Sequence, residues 1–307
     1  MVDERTPVDD AVGQGTDPVQ RWLPWLLRLA WIATGVAGSA AVSDAVDGRS
    51  TGVELVATWG AAAGWVIGVA AMAVPATLSL TAARVVVPLC VVAAVASLVG
   101  GAPAGPGAVF LGMAVASTAV ALSGELGRAF VQASAYGDEE RFPLRPPLGF
   151  AVAAVLAWIL WSAGLVTGAL LTGAQIWVAG IPLVALAAVG AVVLGRRWHL
   201  LSRRWLVFVP AGLVLHDRVV LGETLMLRRS QLDRLRLAPA DTEALDLTGP
   251  ASGHAIEMTV REMVTVLLPS STEHPNGRAV HVRAFLAGPS RPGSALAAAR
   301  RRRFPVG

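Results

Sequence analysis

Six long apolar runs constrain the fold of this chain more than any other feature of its sequence. They cover 25–42, 55–74, 85–101, 107–123, 150–171 and 176–195, and each is 17 to 22 residues long. An α-helix rises about 1.5 Å per residue and the hydrocarbon core of a bilayer is about 30 Å thick, so about 20 apolar residues cross it. The sequence therefore predicts a membrane α-helical bundle of six transmembrane helices over residues 22–198.

The third and fourth runs have the least certain boundaries. Residues 77–83 are also fairly apolar, so the third helix can begin before Val85. Only the Pro- and Gly-rich segment 102–106 separates the third run from the fourth. Two spans joined by a turn are expected. A single re-entrant hairpin is the alternative, although its non-helical backbone must not face lipid.

The arginines predict how the helices are oriented. With the N-terminus in the cytoplasm, only Arg49 falls on the outer side. The inner side receives Arg5, Arg21, Arg84, Arg128, Arg141, Arg145, Arg196, Arg197, Arg203 and Arg204. This asymmetry follows the positive-inside rule and predicts a multi-pass protein of the cell membrane with both termini cytoplasmic. Residues 1–21 contain five acids and two arginines, unlike a signal peptide, and we expect them to form a disordered tail.

Few patterns in the chain carry recognisable chemistry. The single cysteine, Cys90, lies in an apolar run, and no pair of the five histidines has the spacing of a metal site. The sequence also lacks a phosphate-binding glycine loop and a nucleophile elbow. We therefore expect no catalytic residue, no bound metal and no cofactor, and a protein that is not an enzyme.

The pattern changes after Gly195 to short β-strands. Strands are predicted at 205–209, 213–216, 225–227, 235–237, 256–260, 264–268 and 280–283, and a helix at 294–303. The turn at 210–212 joins the first two strands, and 256–260 and 264–268 are expected to form a second hairpin. These elements predict a small β-rich domain at 203–303, followed by a short tail at 304–307.

The segment 204–217 (RWLVFVPAGLVLHD), followed by 225–228 (LMLR) and 231–235 (QLDRL), resembles the opening of bacterial pleckstrin-homology-like domains. That resemblance implies a PH-like barrel of seven strands closed by a C-terminal helix, and it implies no binding residues. The whole chain, with 137–147 (GDEERFPLRPP) as its most telling segment, resembles a family of multi-pass membrane proteins from high-GC Gram-positive bacteria. No activity follows from that likeness.

Arginines concentrate around the predicted domain. Seventeen arginines and nine acidic residues follow Gly195. A basic residue beside an anionic leaflet adds about 1 kcal/mol of attraction. We therefore predict that the domain binds anionic lipid headgroups and not nucleic acid. A protein partner is an alternative ligand, and a solvated tail with no ligand is a third interpretation. The candidate headgroup residues are Arg196, Arg197, Arg203, Arg204, Arg300, Arg301, Arg302 and Arg303.

Small residues and one charge mark the predicted spans. Gly60, Gly64 and Gly68 recur at intervals of four and predict close packing by another helix, within the chain or in a dimer. Arg28 is the only charge inside a predicted span, and its guanidinium is close enough to the inner surface to snorkel there.

Two further interpretations concern the loop at 138–141 and the interior of the bundle. The loop has three acids and Arg141. It is either a solvated connector or a segment that docks on the C-terminal domain, acid against arginine. The alternative function is a transporter or channel for a small or apolar solute, with a cavity lined by polar residues such as Ser117, Thr118, Thr167 and Gln175.

Overall fold

The computed structural model describes residues 18–307, and the first seventeen residues of the predicted disordered tail lie outside that range. Within it, the chain forms nine α-helices, a short 3-10 helix at Arg229–Gln231 and eight strands. The helices are α1 Pro18–Val46, α2 Thr51–Ala73, α3 Thr77–Val86, α4 Leu89–Val99, α5 Ala104–Leu122, α6 Gly124–Gln132, α7 Leu148–Gly173, α8 Trp177–Ser202 and α9 Pro292–Arg301. Helix α1 thus begins four residues before the predicted bundle.

Six helical segments of the described chain are long and apolar enough to cross a membrane, as predicted. They are Trp22–Val46, Thr51–Ala73, Thr77–Val99, Ala104–Leu122, Leu148–Gly173 and Trp177–Ser202. The third begins at Thr77, the earlier of the two predicted starts. The third and fourth segments are separate helices, each of span length, and not one hairpin.

The third segment is interrupted at Pro88. Proline has no backbone N–H and its ring obstructs the preceding turn, so α3 ends at Val86 and α4 begins at Leu89. The indole Nε1 of Trp158 in α7 donates a hydrogen bond of 3.0 Å to the carbonyl oxygen of Val85 beside the break. A tryptophan from a neighbouring helix therefore satisfies a backbone group that the break would leave exposed to lipid.

Tryptophans in the middle of the spans connect helices. The indoles of Trp31 in α1 and Trp65 in α2 each donate to the other residue's carbonyl oxygen, at 3.0 and 3.1 Å. The Trp161 indole donates to the Ala187 carbonyl at 2.9 Å, which joins α7 to α8. These bonds explain why the tryptophans are not confined to the two membrane interfaces.

Two four-stranded sheets form the C-terminal domain. The first contains β1 Glu140–Pro143, β2 Arg204–Val209, β3 Gly212–Asp217 and β4 Leu225–Arg228, all antiparallel and in that order. The second contains β5 Leu232–Leu237, β6 Leu245–Asp246, β7 Ile256–Leu268 and β8 Arg278–Ala287, in the order β5-β7-β8-β6. In the described chain no strand of one sheet pairs with a strand of the other, so the domain is not a closed barrel.

Strand β1 comes from the loop between the fourth and fifth spans. Glu140 pairs with Phe208 and Pro143 with Trp205, so this strand forms the edge of the first sheet. Phe142 in the strand and Leu144 directly after it are 1% and 6% exposed and lie in the core of the domain. The predicted boundaries of 203–303 are therefore incomplete, because part of the domain is encoded sixty residues earlier.

The second sheet departs from the predicted hairpin. Residues 256–268 form the single strand β7, and its pairing with β8 shifts register between Thr259 and Val264. The intervening residues Arg261-Glu262-Met263 include no Gly, Pro or Asn, so the chain forms a bulge and not a turn. The predicted hairpin of β2 and β3 is confirmed, as is the helix that ends the domain.

Residues 304–307 are part of the fold and not a free tail. Phe304 is 5% exposed and packs in the domain core. The backbone N–H of Leu235 donates to the Pro305 carbonyl at 2.7 Å, and the N–H of Gly307 donates to the Leu235 carbonyl at 3.0 Å. The end of the chain therefore lies along β5.

Candidate functional site

Charged groups are concentrated where the C-terminal domain meets the bundle. The most buried pair is Arg204, at the start of β2, and Asp217, at the end of β3; each side chain is 1% exposed. The Arg204 Nε and Nη2 donate to the two Asp217 oxygens at 2.8 and 2.6 Å, and Nη1 donates to the Arg145 carbonyl at 2.8 Å. Asp217 also accepts from the N–H groups of Val219 and Val220. The pair fixes β2 and β3 to the segment that leads into α7.

A second group of charges joins the loop before β1 to the end of α9. Glu140 accepts from Arg301 at 3.1 Å and from Arg302 at 3.2 Å, and it lies 3.6 Å from the guanidinium of Arg128 in α6. Arg302 also donates to the Asp138 carboxylate at 2.5 Å. This arrangement confirms that the loop docks on the C-terminal domain, acid against arginine, and shows that the solvated-connector interpretation is wrong.

These contacts change the electrostatics of Arg302. Burial alone would lower the pKa of its guanidinium, but the hydrogen bonds to Asp138 and Glu140 raise that pKa above the ordinary value. One more ion pair, between Arg291 before α9 and Glu125 in α6, adds to the same junction. Carboxylates in α6 and in or just before β1 therefore form ion pairs with arginines at the two ends of α9.

An aromatic contact joins the first sheet to the bundle. Trp205 packs against the buried cluster of the bundle, stacks on His216 with ring centroids 5.1 Å apart, and lies 5.4 Å from the Arg141 guanidinium. Burial lowers the pKa of His216, and the nearby Arg203 and Arg218 lower it further, although Asp217 opposes them. The lowered pKa favours the neutral form of the imidazole that stacks on Trp205.

The eight candidate headgroup arginines have different surroundings. Arg204 is buried in its ion pair, so its assignment to lipid headgroups is wrong. Arg301 and Arg302 are engaged with the acidic loop. The side chains that remain exposed and have no carboxylate partner in the described chain are those of Arg196, Arg197, Arg300 and Arg303, and Arg203 is half-buried.

Arginines near the membrane surfaces bind the free carbonyls at helix C-termini. Arg28 donates to the Met72 carbonyl at the end of α2, at 2.9 and 3.1 Å, and lies over the Trp25 ring. Arg49 donates to the Gly100 carbonyl after α4 at 3.1 Å. Because the last carbonyls of a helix have no partner within it, these guanidinium groups cap neighbouring helices.

Arg84 makes the same kind of contact after α5. It lies inside the third span segment, since α3 begins at Thr77. The prediction that Arg28 is the only charge within a span is therefore wrong, and the ends of the other segments add Asp44, Glu54, Arg196 and Arg197. Its Nε and Nη2 donate to the carbonyls of Ala121 and Ser123 at 3.5 Å.

Only one of the three predicted packing glycines contacts another helix. A Cβ atom at Gly68 would lie 2.5 Å from the Trp31 ring, so α1 approaches α2 closely there. A Cβ atom at Gly60 or Gly64 would meet nothing within 4 Å. The packing interpretation is thus confirmed for Gly68 and wrong for Gly60 and Gly64 within one chain, because these two glycines lie where no other atom of the described chain approaches α2.

The polar residues expected to line a solute cavity occupy different environments. Ser117 is fully buried and shares a 2.9 Å hydrogen bond with Thr34 of α1. Thr118 Oγ1 is buried and lies beside the Cys90 thiol. Thr167 and Gln175 are exposed, and Gln175 has a left-handed backbone (φ 63°) in the turn between α7 and α8.

Comparisons of the chain with protein-family models, with curated proteins and with solved structures found no match. The site is therefore interpreted from its own geometry.

Proposed function

We propose that this is a non-enzymatic multi-pass protein of the cell membrane, with both termini in the cytoplasm, whose C-terminal domain binds anionic lipid headgroups. The observation that carries the proposal is an exposed methionine on the face of the first sheet that packs against the bundle. Trp205 of that face contacts the buried cluster of the bundle.

The strand register defines this face. Trp205 and His216 are paired and lie on the bundle side, and the next pair on the same side is Val207 and Val214. Met226 of β4 pairs with Val214 and so lies on the same face, yet it is 71% exposed. In the proposal, this exposed methionine is the apolar part of the contact with the bilayer surface.

Arginines beside this face supply the electrostatic part of the interaction. Arg196 and Arg197 lie exposed in the last two turns of α8. Several basic residues at such a position attract an anionic leaflet by about 1 kcal/mol each. The ten-to-one distribution of arginines supports placing this leaflet on the cytoplasmic side.

The PH-like relationship of the domain belongs to the same proposal. A β2–β3 hairpin, a second sheet and a C-terminal helix packed on the core are features that such domains share. The added edge strand β1 and the parallel strand β6 are departures from the resemblance.

Lipid bound to the purified protein tests the headgroup proposal. The full chain is extracted in mild detergent from membranes containing anionic and neutral lipids, and the bound lipids are quantified by mass spectrometry. We expect anionic enrichment that falls in the double variant Arg196→Gln/Arg197→Gln and in Met226→Glu. Arg278→Gln, an exposed arginine at the start of β8, is the matched control. Equal lipid composition in all variants would exclude this site.

Labelling of a single cysteine tests the orientation. In a Cys90→Ser background, an exposed position of the domain is changed by Glu273→Cys. An impermeant maleimide should label it in inverted vesicles and not in intact cells.

A further inference from the structure

Four arginines line one open cleft on the C-terminal domain. They are Arg228 and Arg229 after β4, Arg261 in the bulge of β7, and Arg303 after α9. The cleft has a volume of about 710 Å³, and its lining includes no acidic residue.

The charge of the cleft is not compensated by the protein. No carboxylate in residues 22–307 forms an ion pair with any of the four arginines, whereas Arg236, Arg301 and Arg302 of the same domain each have one. A second cleft near β5 and β8 shows the contrast, because its arginines are interspersed with Asp233, Asp241, Glu243 and Glu257. Four like charges around one cleft repel one another unless an anion lies between them.

Two of the arginines are positioned in advance by the backbone and the core. Arg229 Nη2 donates to the Pro210 carbonyl at 2.9 Å, its guanidinium lies 4.9 Å from the Phe304 ring centre, and its buried Nε has no partner in the described chain. Arg261 Nε donates to the Leu232 carbonyl at 3.4 Å. Because these contacts already hold the two side chains in place, binding an anion costs less conformational entropy.

Arg303 occupies a backbone position that normally favours glycine. Helix α9 ends in a Schellman motif: the Phe304 N–H donates to the Ala299 carbonyl and the Arg303 N–H to the Arg300 carbonyl, both at 2.9 Å. Arg303 is the left-handed residue of this motif, with φ 57°. An arginine at this strained backbone position, beside the three other arginines of the cleft, points to a role for its side chain.

From these observations we infer that the cleft binds a multiply charged phosphate group. Guanidinium groups donate in pairs to phosphate oxygens, and four of them match a phosphomonoester or a diphosphate better than a singly charged phosphodiester. The phosphate belongs to a lipid headgroup or to a soluble molecule. Arg228 lies on the same face of β4 as Met226, so a headgroup can reach the cleft.

Binding of inorganic pyrophosphate to the full-length protein in uncharged detergent tests the inference. Titration calorimetry at fixed ionic strength should show saturable binding. Each arginine removed, as in Arg228→Gln or Arg261→Gln, should weaken it by about tenfold. Arg278→Gln is the matched control and should bind as the unaltered chain does.

Arg303→Gly separates binding from folding. Glycine suits the left-handed position, so this variant should melt at the same or a higher temperature while binding pyrophosphate about tenfold more weakly. Unaltered binding in Arg303→Gly and in Arg228→Gln/Arg261→Gln would overturn the inference. It would also be overturned if the unaltered chain bound neither pyrophosphate nor phosphatidic acid.

Nanodiscs distinguish the two sources of phosphate. Enrichment of phosphatidic acid over phosphatidylglycerol around the protein, lost in Arg228→Gln/Arg261→Gln, assigns the cleft to a lipid headgroup. Pyrophosphate binding without such enrichment assigns it to a soluble phosphate. The double variant Arg196→Gln/Arg197→Gln should bind pyrophosphate as the unaltered chain does. If the proposed binding of anionic headgroups near Met226, Arg196 and Arg197 fails, the pyrophosphate result therefore still stands.

Discussion

At the scale of single residues, the Arg204–Asp217 pair has the largest expected effect on stability. Its charges are fully removed from water, and their hydrogen-bonding capacity is met by each other, the Arg145 carbonyl and two backbone N–H groups. Removing one partner leaves the other charge buried and alone, at a cost of about 3–5 kcal/mol. Arg204→Met and Asp217→Leu should each lower the melting temperature of the detergent-solubilised chain markedly.

The double variant provides the internal control for this prediction. Arg204→Met/Asp217→Leu removes both charges, so it should be more stable than either single variant. Arg203→Met, next to the pair and half-buried, should change the melting temperature little. Additive losses in the double variant would mean that the two side chains do not depend on each other.

At the scale of elements, the contact between α1 and α2 at Gly68 leaves no room for a larger side chain. Gly68→Val would place side-chain atoms inside the Trp31 ring, and the displaced indole would lose its bond to the Trp65 carbonyl. Overpacking of this kind costs about 1–3 kcal/mol. We expect Gly68→Val to lower the melting temperature of the solubilised chain.

Gly60→Val is the matched control on the same helix. No atom lies within 4 Å of a Cβ at that position, so the added side chain meets only lipid or detergent. A loss of stability in Gly60→Val equal to that in Gly68→Val would indicate a helix contact outside the single chain, such as the dimer interface that the glycine spacing also allowed.

The elements differ in how far the sequence predicts them. Hydropathy is a local property, so all six spans could be predicted, and the strand pair β2–β3 has a turn with Gly212 between two apolar runs. Strand β1 has four residues and one buried side chain, Phe142, which is too short for a periodic signal. Which glycine meets a helix depends on neighbours in space, so the spacing of Gly60, Gly64 and Gly68 could not separate them.

The candidate site shows the same limit. The sequence predicted that the acidic loop docks on the C-terminal domain, acid against arginine, and the contact is formed with Arg302. Burial of Arg204 could not be predicted, because its partner Asp217 is defined by the register of β2 and β3. The cleft of four arginines brings together residues from 228 to 303, a convergence that no local pattern shows.

At the scale of the whole molecule, β1 makes the bundle and the C-terminal domain interdependent. The strand supplies Phe142 to the domain core and covers the edge of β2, and Leu144 directly after it adds a second core side chain. Losing a buried phenylalanine alone costs about 3–5 kcal/mol, which is a large part of the 5–15 kcal/mol stability of an ordinary domain. A fragment of residues 203–307 should therefore lack a cooperative thermal transition.

Adding the missing strand should restore that transition. Since the Leu144 N–H donates to the Arg204 carbonyl, residues 138–145 can be fused to residue 203 through a short Gly/Ser linker. Trp205→Ser in both fragments reduces the apolar surface that the bundle normally covers. The fused fragment should melt cooperatively by circular dichroism, and Phe142→Ser should abolish the effect. If residues 203–307 alone melt at the same temperature as the fusion, β1 is an accessory to the domain, and the two parts of the molecule fold independently.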